Sequence, residues 1–209
     1  MNGFEKQVLS ILVNEPSIFN PKIKRLGNVE HAHRIIHKYL PFRIGIEFEY
    51  GNKLGDFNPY QFHFNYEVDN GIDELRVSFK RYKYLINLYK LLNHMNETVP
   101  FNTGSGIHIH VDAGSFFETI NTNSIPQSIV DYLIKIADYT GSYNEHKLSI
   151  NKEAIRIHSD YFTLEYRIFK MTYDYPVLVK WILICSYINK CVKSHNTIET
   201  SIIDELFTL

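Results

Sequence analysis

The chain has 209 residues, of which 44% are hydrophobic and 22% charged, a composition typical of one soluble globular domain with a single sizeable core. Its net charge of −1 provides no basic field for binding nucleic acid. The longest apolar stretch, 177–188, contains Lys180 and is too short to span a bilayer. The N-terminal residues lack a signal-peptide pattern. We therefore expect one cytoplasmic domain, 1–209, with no membrane or nucleic-acid partner.

Two helices are predicted in the first 42 residues. Residues 4–13 place Phe4, Val8 and Leu12 on one side of a helix, and residues 29–39 predict a second helix before Pro41. We interpret 1–42 as a helical extension that offers a surface to a protein partner. The remaining residues, 43–209, form the predicted core of the domain.

Five later segments alternate apolar and polar residues with period two, which indicates strands with two unlike faces. They are 42–50, 62–69, 75–79, 107–112 and 162–168. Asn70-Gly71, between the second and the third, is a strong hairpin signal. Helical periodicity appears at 81–96, 127–139, 174–193 and, more briefly, 198–209. The pattern predicts an α+β fold, in which an antiparallel sheet packs one face on helices and leaves a polar face open.

The predicted polar face is rich in carboxylates and imidazoles. It collects Glu47, Glu49, Glu67, Asp69, Glu74, His108, His110, Asp112, Glu165 and Arg167. Any one of these strands alone is more typical of a solvated surface. Carboxylates on adjacent strands repel each other, however, and such a cluster usually persists because a cation neutralises it. Together the strands predict a divalent-metal site with oxygen ligands and an imidazole nitrogen.

The ligand types favour Mg²⁺ or Mn²⁺ over zinc. His108, His110 and Asp112 follow the start of one zinc-hydrolase pattern, but Ala113 and Gly114 stand where that pattern continues toward a further histidine. Cysteine and histidine spacing for a structural zinc is also absent from the sequence. The excess of carboxylates suits the ions that accompany nucleotide phosphates.

The sequence contains no glycine-rich phosphate loop and no convincing catalytic cysteine. Gly104-Ser105-Gly106 lacks the lysine that follows in a P-loop. Cys185 and Cys191 lie in one predicted helix on different faces, so we expect two buried thiols that do not pair. If ATP binds, metal ions and arginines must hold it, and Arg167 and then Arg76 are the best candidates.

Four motifs in this order resemble those of the amidoligases, a family of the carboxylate–amine ligase superfamily that includes glutamine synthetase and glutamate–cysteine ligase. They are Gly45-Ile46-Glu47-Phe48-Glu49, Glu74-Leu75-Arg76-Val77-Ser78, Gly106-Ile107-His108-Ile109-His110-Val111-Asp112 and Thr163-Leu164-Glu165-Tyr166-Arg167-Ile168-Phe169. The similarity covers about residues 43–190 and leaves 1–42 unmatched. It implies a glutamine-synthetase-like antiparallel sheet whose concave polar face holds Mg²⁺ or Mn²⁺.

The resemblance also implies a reaction and residue roles. ATP phosphorylates a small-molecule or peptide carboxylate, and an amine then displaces the phosphate to form an amide. The implied metal ligands are Glu47, Glu49, Glu74, His108 and Glu165. Arg167 would contact the transferred phosphate, and His110 and Asp69 would line the site.

Two alternatives remain open. Members of the family often have an arginine where this chain has His146, and the chain is shorter than most of them. With the N-terminal extension, these departures are compatible with a non-catalytic relative that serves as a structural or binding subunit of a larger assembly. A metal-dependent hydrolase is the other alternative.

Overall fold

A computed structural model describes residues 1–15, 21–49, 65–69, 74–80, 84–99, 105–121, 123–138, 148–149 and 154–209. The strands are β1 (Ile44–Glu49), β2 (Asn65–Asp69), β3 (Glu74–Phe79), β4 (Gly106–Asp112), β5 (Leu148–Ser149), β6 (Ile155–His158) and β7 (Thr163–Lys170). The helices are α1 (Gly3–Asn14), α2 (Pro21–Arg25), α3 (Val29–Tyr39), α4 (Leu85–Thr98), α5 (Gln127–Ile136), α6 (Tyr175–Lys193) and α7 (Thr200–Phe207). A 3-10 helix spans Gly114–Thr119.

The strands form one open sheet in the order β2-β3-β1-β4-β7-β6-β5. All neighbouring pairs are antiparallel except β5 and β6, which run parallel. The predicted α+β class and antiparallel sheet are therefore confirmed, and the five predicted strands are the first five in this order. Strands β5 and β6 were not predicted, and the predicted turn at Asn70-Gly71 lies outside the described residues.

The strand register aligns the polar residues of four neighbouring strands. Glu47 of β1 lies opposite Arg76 of β3 on one side and His108 of β4 on the other. Farther along, His110 of β4 lies opposite Glu165 of β7. Residues that face each other in adjacent strands share a face of the sheet, so this register alone brings the polar positions of β1, β3, β4 and β7 together.

A bulge in β7 changes the phase of that strand. Ile107 lies opposite Phe169, whereas Ile109 lies opposite Tyr166, so two β7 residues, Arg167 and Ile168, face His108 alone. Such an extra residue bends the strand and redirects the side chains after it. As a result, Phe169 lies on the face of β7 that packs against the helices. The centroid of its ring is 4.6 Å from that of Trp181 in α6.

The core lies between the sheet and α6. Asp174 caps α6 by accepting a hydrogen bond from Val177 N at 3.1 Å, as expected for an aspartate that precedes a helix with a proline in its first turn. Inside the core, Tyr166 Oη donates to Asn189 Oδ1 at 2.8 Å, and Asn189 Nδ2 donates to Val111 O at 3.2 Å. Two free, buried thiols, those of Cys185 and Cys191, lie in α6, in agreement with the sequence.

The N-terminal helices belong to the same core. Val8 and Leu12 of α1 and Ile36 of α3 are at most 1% exposed, and Tyr175 Oη of α6 donates to Leu12 O at 3.2 Å. Helices α1 and α3 therefore pack on the rest of the chain, and the contact of residues 1–42 with a partner protein stays a prediction. Among the helices in the described ranges, none has the length and apolar character required to cross a bilayer.

Candidate metal centre

Glu47 lies at the centre of the polar cluster. Its Oε1 atom is 3.0 Å from Arg76 Nε and 3.1 Å from His110 Nε2, and its Oε2 atom is 3.2 Å from His108 Nδ1. Burial opposes the charge on this carboxylate, but its hydrogen bond with His108 and the close approach of His110 hold its pKa well below the usual range. Glu47 is therefore a buried carboxylate that stays ionised.

His108 has a carboxylate at each ring nitrogen. Its Nδ1 atom is 3.2 Å from Glu47 Oε2 and 3.2 Å from Glu165 Oε1, and its Nε2 atom is 3.3 Å from Glu49 Oε2. Burial disfavours the imidazolium, but hydrogen bonds with Glu165, Glu47 and Glu49 outweigh it and raise the pKa of His108 well above the usual range. In this state His108 is a cation between three carboxylates, and it would have to lose a proton before it could bind a metal.

His110 has a different arrangement. Its Nδ1 atom is 3.0 Å from Thr163 Oγ1, which fixes the orientation of the ring. Its Nε2 atom is 3.1 Å from Glu47 Oε1 and 3.9 Å from Glu165 Oε1, yet it forms no aligned hydrogen bond with any described residue and is buried. An imidazole oriented through one nitrogen, with the other directed at carboxylates, is a typical metal-ligand arrangement.

Glu165 joins the cluster from β7 and is 1% exposed. Its Oε1 atom accepts a hydrogen bond from Arg167 Nη1 at 2.6 Å, and its Oε2 atom lies 3.6 Å from Arg156 Nη1 without a hydrogen bond in the described part of the chain. Burial raises the pKa of Glu165, but His108, His110 and Arg167 outweigh this effect and lower it to about 2. Arg167, expected to contact phosphate, is thus engaged with a carboxylate of the cluster.

Glu74 and Arg76 form a pair on the β3 side. Arg76 Nε is 2.6 Å from Glu74 Oε1, and Arg76 Nη2 is 3.2 Å from Glu74 Oε2. Burial, reinforced by the nearby charge of Glu47, raises the pKa of Glu74 despite this arginine. Arg76 therefore bridges Glu74 and Glu47, and Glu74 could bind a metal only if this bridge changed.

Strand β6 and the turn after it extend the cluster. His158 is buried and its ring is 5.7 Å from that of His110. Tyr161, in the turn between β6 and β7, has its ring 4.6 Å from His158 and its hydroxyl 3.4 Å from Arg76 Nη1. Phe162 follows with φ 53°, a left-handed conformation that is unfavourable for an aromatic residue. Backbone strain of this kind is common beside functional sites.

A cavity of about 390 Å³ opens next to the cluster. Its lining contains Arg43, Gly45, Ile46, Glu47, Arg76, Val77, Ser78, His110, Asp112, Tyr161 and Thr163. A Cβ atom at Gly45 would lie 3.2 Å from His110 Cβ, so a side chain there would press on the histidine and narrow the cavity. A ligand in this cavity would reach Glu47 and His110 directly.

The residues fit a divalent cation. Ligand atoms of Glu47, His110 and Glu165 all lie within 4.8 Å of one another, and these three side chains are buried. The buried Nε2 of His110 and Oε2 of Glu165 lack hydrogen bonds within the described ranges, as expected where a cation completes the arrangement. Two carboxylates and one imidazole would leave coordination positions for water or a ligand in the cavity.

The structure brings most of the predicted site residues together. Glu47, Glu49, His108, His110, Glu165 and Arg167 form one contact network, with Arg76 and Glu74 beside it. Asp69 is in edge strand β2 opposite Glu74, and its side chain is not described. His146 lies outside the described residues. For the metal, the geometry gives His110 the more suitable free nitrogen, whereas the motif resemblance implied His108.

Sequence reasoning missed the contributions of Thr163, Arg156, His158 and Tyr161. The segment Ile155-Arg156-Ile157-His158 alternates apolar and polar residues, and this signal was present but short. The position of Tyr161 in a tight turn over the cluster has no comparable signal. Comparisons with family models, with curated proteins and with solved structures found no match for this chain.

Proposed function

We propose that the chain is a cytoplasmic, divalent-metal-dependent and ATP-dependent carboxylate–amine ligase with a glutamine-synthetase-like fold. The observation that carries this proposal is the buried cluster of Glu47, His110 and Glu165 at the side of an open cavity. The four ordered motifs supply the reaction class, and all four lie on strands of one sheet. Binding Mg²⁺ or Mn²⁺ would supply charge neutralisation for the phosphates of ATP.

The roles of the protein groups follow from their charges. Glu47, His110 and Glu165 would hold the cation, and Glu49, Glu74 and His108 are the further candidates that the motifs imply. Phosphoryl transfer depends mainly on positioning and on cationic groups around the transferred phosphate. Arg167 and Arg76 supply guanidinium groups at the cluster, and they would contact phosphate oxygens when a nucleotide competes for their present carboxylate partners. An acyl phosphate made from the substrate carboxylate would then react with the amine.

A non-catalytic relative is the second candidate, because the cluster already contains protein cations. Arg76 bonds to Glu47 and Glu74, Arg167 bonds to Glu165, and His108 is held as an imidazolium. These groups offset much of the negative charge in the metal-free state. A protein that retained the fold only as a structural or binding subunit would need no further cation here.

Titration calorimetry with Mn²⁺ and Mg²⁺ is the first test. We expect the wild-type protein to bind either ion and Glu165→Gln to weaken binding by at least about tenfold. Glu30→Gln is the control, because Glu30 is exposed on α3 and pairs with Arg34 at the surface. Equal metal affinity in wild type and Glu165→Gln would reject the proposed metal centre.

Nucleotide chemistry is the second test. ATP binding is measured with and without Mn²⁺, and ADP release is then followed with mixed amines and carboxylates. ADP release that requires the metal, an amine and a carboxylate supports the ligase. Metal-dependent ATP hydrolysis that needs neither organic substrate indicates a hydrolase. Metal binding with no nucleotide binding favours the non-catalytic relative.

A further inference from the structure

Two carboxylate oxygens of the cluster are suited to bind a cation together with His110, and an arginine contacts each of them. Nε2 of His110 is 3.1 Å from Glu47 Oε1 and 3.9 Å from Glu165 Oε1, so these three atoms could share one cation. Arg76 Nε lies 3.0 Å from Glu47 Oε1, and Arg167 Nη1 lies 2.6 Å from Glu165 Oε1. A cation that bound these oxygens would therefore compete with two guanidinium groups.

Arg76 has other partners that would remain if it left Glu47. Its Nε atom is 2.6 Å from Glu74 Oε1, closer than it is to Glu47, and its Nη2 atom is 3.2 Å from Glu74 Oε2. Its Nη1 atom is 3.4 Å from the hydroxyl of Tyr161. Because Nε carries a single hydrogen and faces two carboxylates, the longer contact with Glu47 is the weaker one. Its loss would leave the bidentate pair with Glu74 in place.

The two arginines also differ in their access to the cavity. The side chain of Arg76 is 28% exposed and lines the cavity. That of Arg167 is 10% exposed and is not among the described lining residues. An anionic group in the cavity would therefore contact Arg76 rather than Arg167. Guanidinium groups bind oxyanions through paired N–H donors, so contact with such a ligand would draw Arg76 away from Glu47.

We infer that Arg76 is an internal counter-cation that pairs with Glu47 in the metal-free protein, leaves it when a divalent cation binds, and is helped to leave by an oxyanion in the cavity. The inference rests on the proposed function, since it concerns the regulation of the proposed metal centre. Because the released guanidinium can then bind the anion, cation and oxyanion must each raise the affinity for the other by the same factor. The site would bind the two ions together more readily than either alone.

Titration calorimetry on the full chain measures this coupling without any reaction. Mn²⁺ affinity is compared with and without sodium sulfate, a tetrahedral oxyanion that binds free Mn²⁺ weakly, and sodium chloride at matched ionic strength is the reference. In the wild-type protein, sulfate should tighten Mn²⁺ binding by about fivefold or more. Without sulfate, Arg76→Gln should bind Mn²⁺ about tenfold more tightly than wild type does, because no guanidinium has to leave Glu47. Sulfate should then have no effect on this variant.

Two further variants separate the exchange from a general effect of charge. Arg167→Gln removes the same charge from the same cluster but keeps the contact of Arg76 with Glu47, so sulfate should still tighten Mn²⁺ binding. Arg43→Gln removes an exposed arginine from the cavity lining. Solvent screens this residue, so its loss should change Mn²⁺ affinity and the sulfate effect by no more than about twofold. A sulfate effect that is lost in Arg43→Gln but kept in Arg76→Gln would overturn the inference.

A crystal structure of the wild-type protein with Mn²⁺ and sulfate tests the exchange directly. Arg76 should pair with Glu74 and the sulfate, and no longer with Glu47. An Arg76 that still contacts Glu47 beside a bound ion would overturn the inference, as would wild-type Mn²⁺ affinity in Arg76→Gln. The exchange in a protein that does not turn over ATP would leave the inference in place and reject the ligase. ATP turnover that requires an amine and a carboxylate, in a protein without the exchange, would do the reverse.

Discussion

The two faces of β4 and β7 are buried to a similar degree but differ in how their polar groups are satisfied. On the side facing α6, Tyr166 and Asn189 are fully buried and bond to each other and to the backbone. On the other side, Glu165 and His110 are 1% and 5% exposed, yet each has a polar atom without a hydrogen bond in the described residues. Burial alone would not have distinguished the candidate site from the core.

The helix-facing side has one comparable atom, Ser186 Oγ, which also lacks a partner in the described chain. A hydroxyl on a helix can rotate toward a carbonyl of its own preceding turn, so Ser186 Oγ can gain a hydrogen-bond acceptor within α6. The ring of His110 is fixed by Thr163, and Glu165 is fixed by Arg167. Both side chains are thus held in place, and Arg156 Nη1, at 3.6 Å from Glu165 Oε2, forms no hydrogen bond with that atom. We therefore regard the unsatisfied atoms of His110 and Glu165 as directed at a ligand.

The two faces also differ in charge. Burial raises the pKa of Tyr166 well above its usual value, so the helix-facing network is neutral at all ordinary pH values. On the open face, Glu47 and Glu165 stay ionised and His108 stays protonated. The helix-facing network can only stabilise the fold. In the open-face network, a bound cation or anion can replace one of the charged partners.

The largest expected effect is on the helix-facing side. Asn189→Ala would leave Tyr166 Oη and Val111 O unsatisfied and create a cavity, so the free energy of unfolding should fall by about 2–4 kcal/mol. Urea denaturation measures this loss. Tyr166→Phe, which removes only one hydroxyl, should cost less. Affinity for Mn²⁺ should not change in folded Asn189→Ala protein, and a parallel loss of metal affinity would contradict the separation of the two faces.

The second prediction concerns acid and the open face. The folded-state pKa of Glu165 is lowered from 4.5 to about 2, so this carboxylate stabilises the metal-free fold at pH above 4.5. Its contribution, about 3 kcal/mol, should be lost as pH falls from 4.5 toward 2. Unfolding free energies of wild type and Glu165→Gln, compared across this range without metal, should differ most at the upper end and converge in acid.

A difference between the two proteins that stays constant with pH would contradict this prediction. It would show that Glu165 acts through packing or through hydrogen bonds that do not depend on its charge. The helix-facing pair provides the control, because the stability loss in Tyr166→Phe should not change over the same pH range.

Much of the sheet could be predicted because its strands have two unlike faces. Alternation of apolar and polar residues in β1, β3, β4 and β7 identified both the strands and the face that holds Glu47, His110 and Glu165. The bulge at Arg167 and Ile168 could not be predicted, because both residues are compatible with regular alternation and only the pairing with β4 reveals the extra residue.

The choice between the two histidines could not be made from the sequence either. His108 and His110 occupy equivalent positions in the motif, and period two places both on the polar face. Their difference depends on neighbours from other strands: three carboxylates surround His108, whereas Thr163 of β7 orients His110. Long-range pairing of this kind is not encoded in local spacing.

The smallest expected effect tests where the ionised cluster ends. The side chain of Glu49 is 31% exposed and contacts His108, which also has Glu47 and Glu165 as partners. Because solvent screens this contact, Glu49→Gln should change the metal-free unfolding free energy by less than about 1 kcal/mol. Glu49 is outside the group formed by Glu47, His110 and Glu165, so its loss should also weaken Mn²⁺ binding much less than Glu165→Gln does. Calorimetry on both variants decides the point: equal losses would make Glu49 a ligand, as the motif resemblance implies, and would move the metal toward His108.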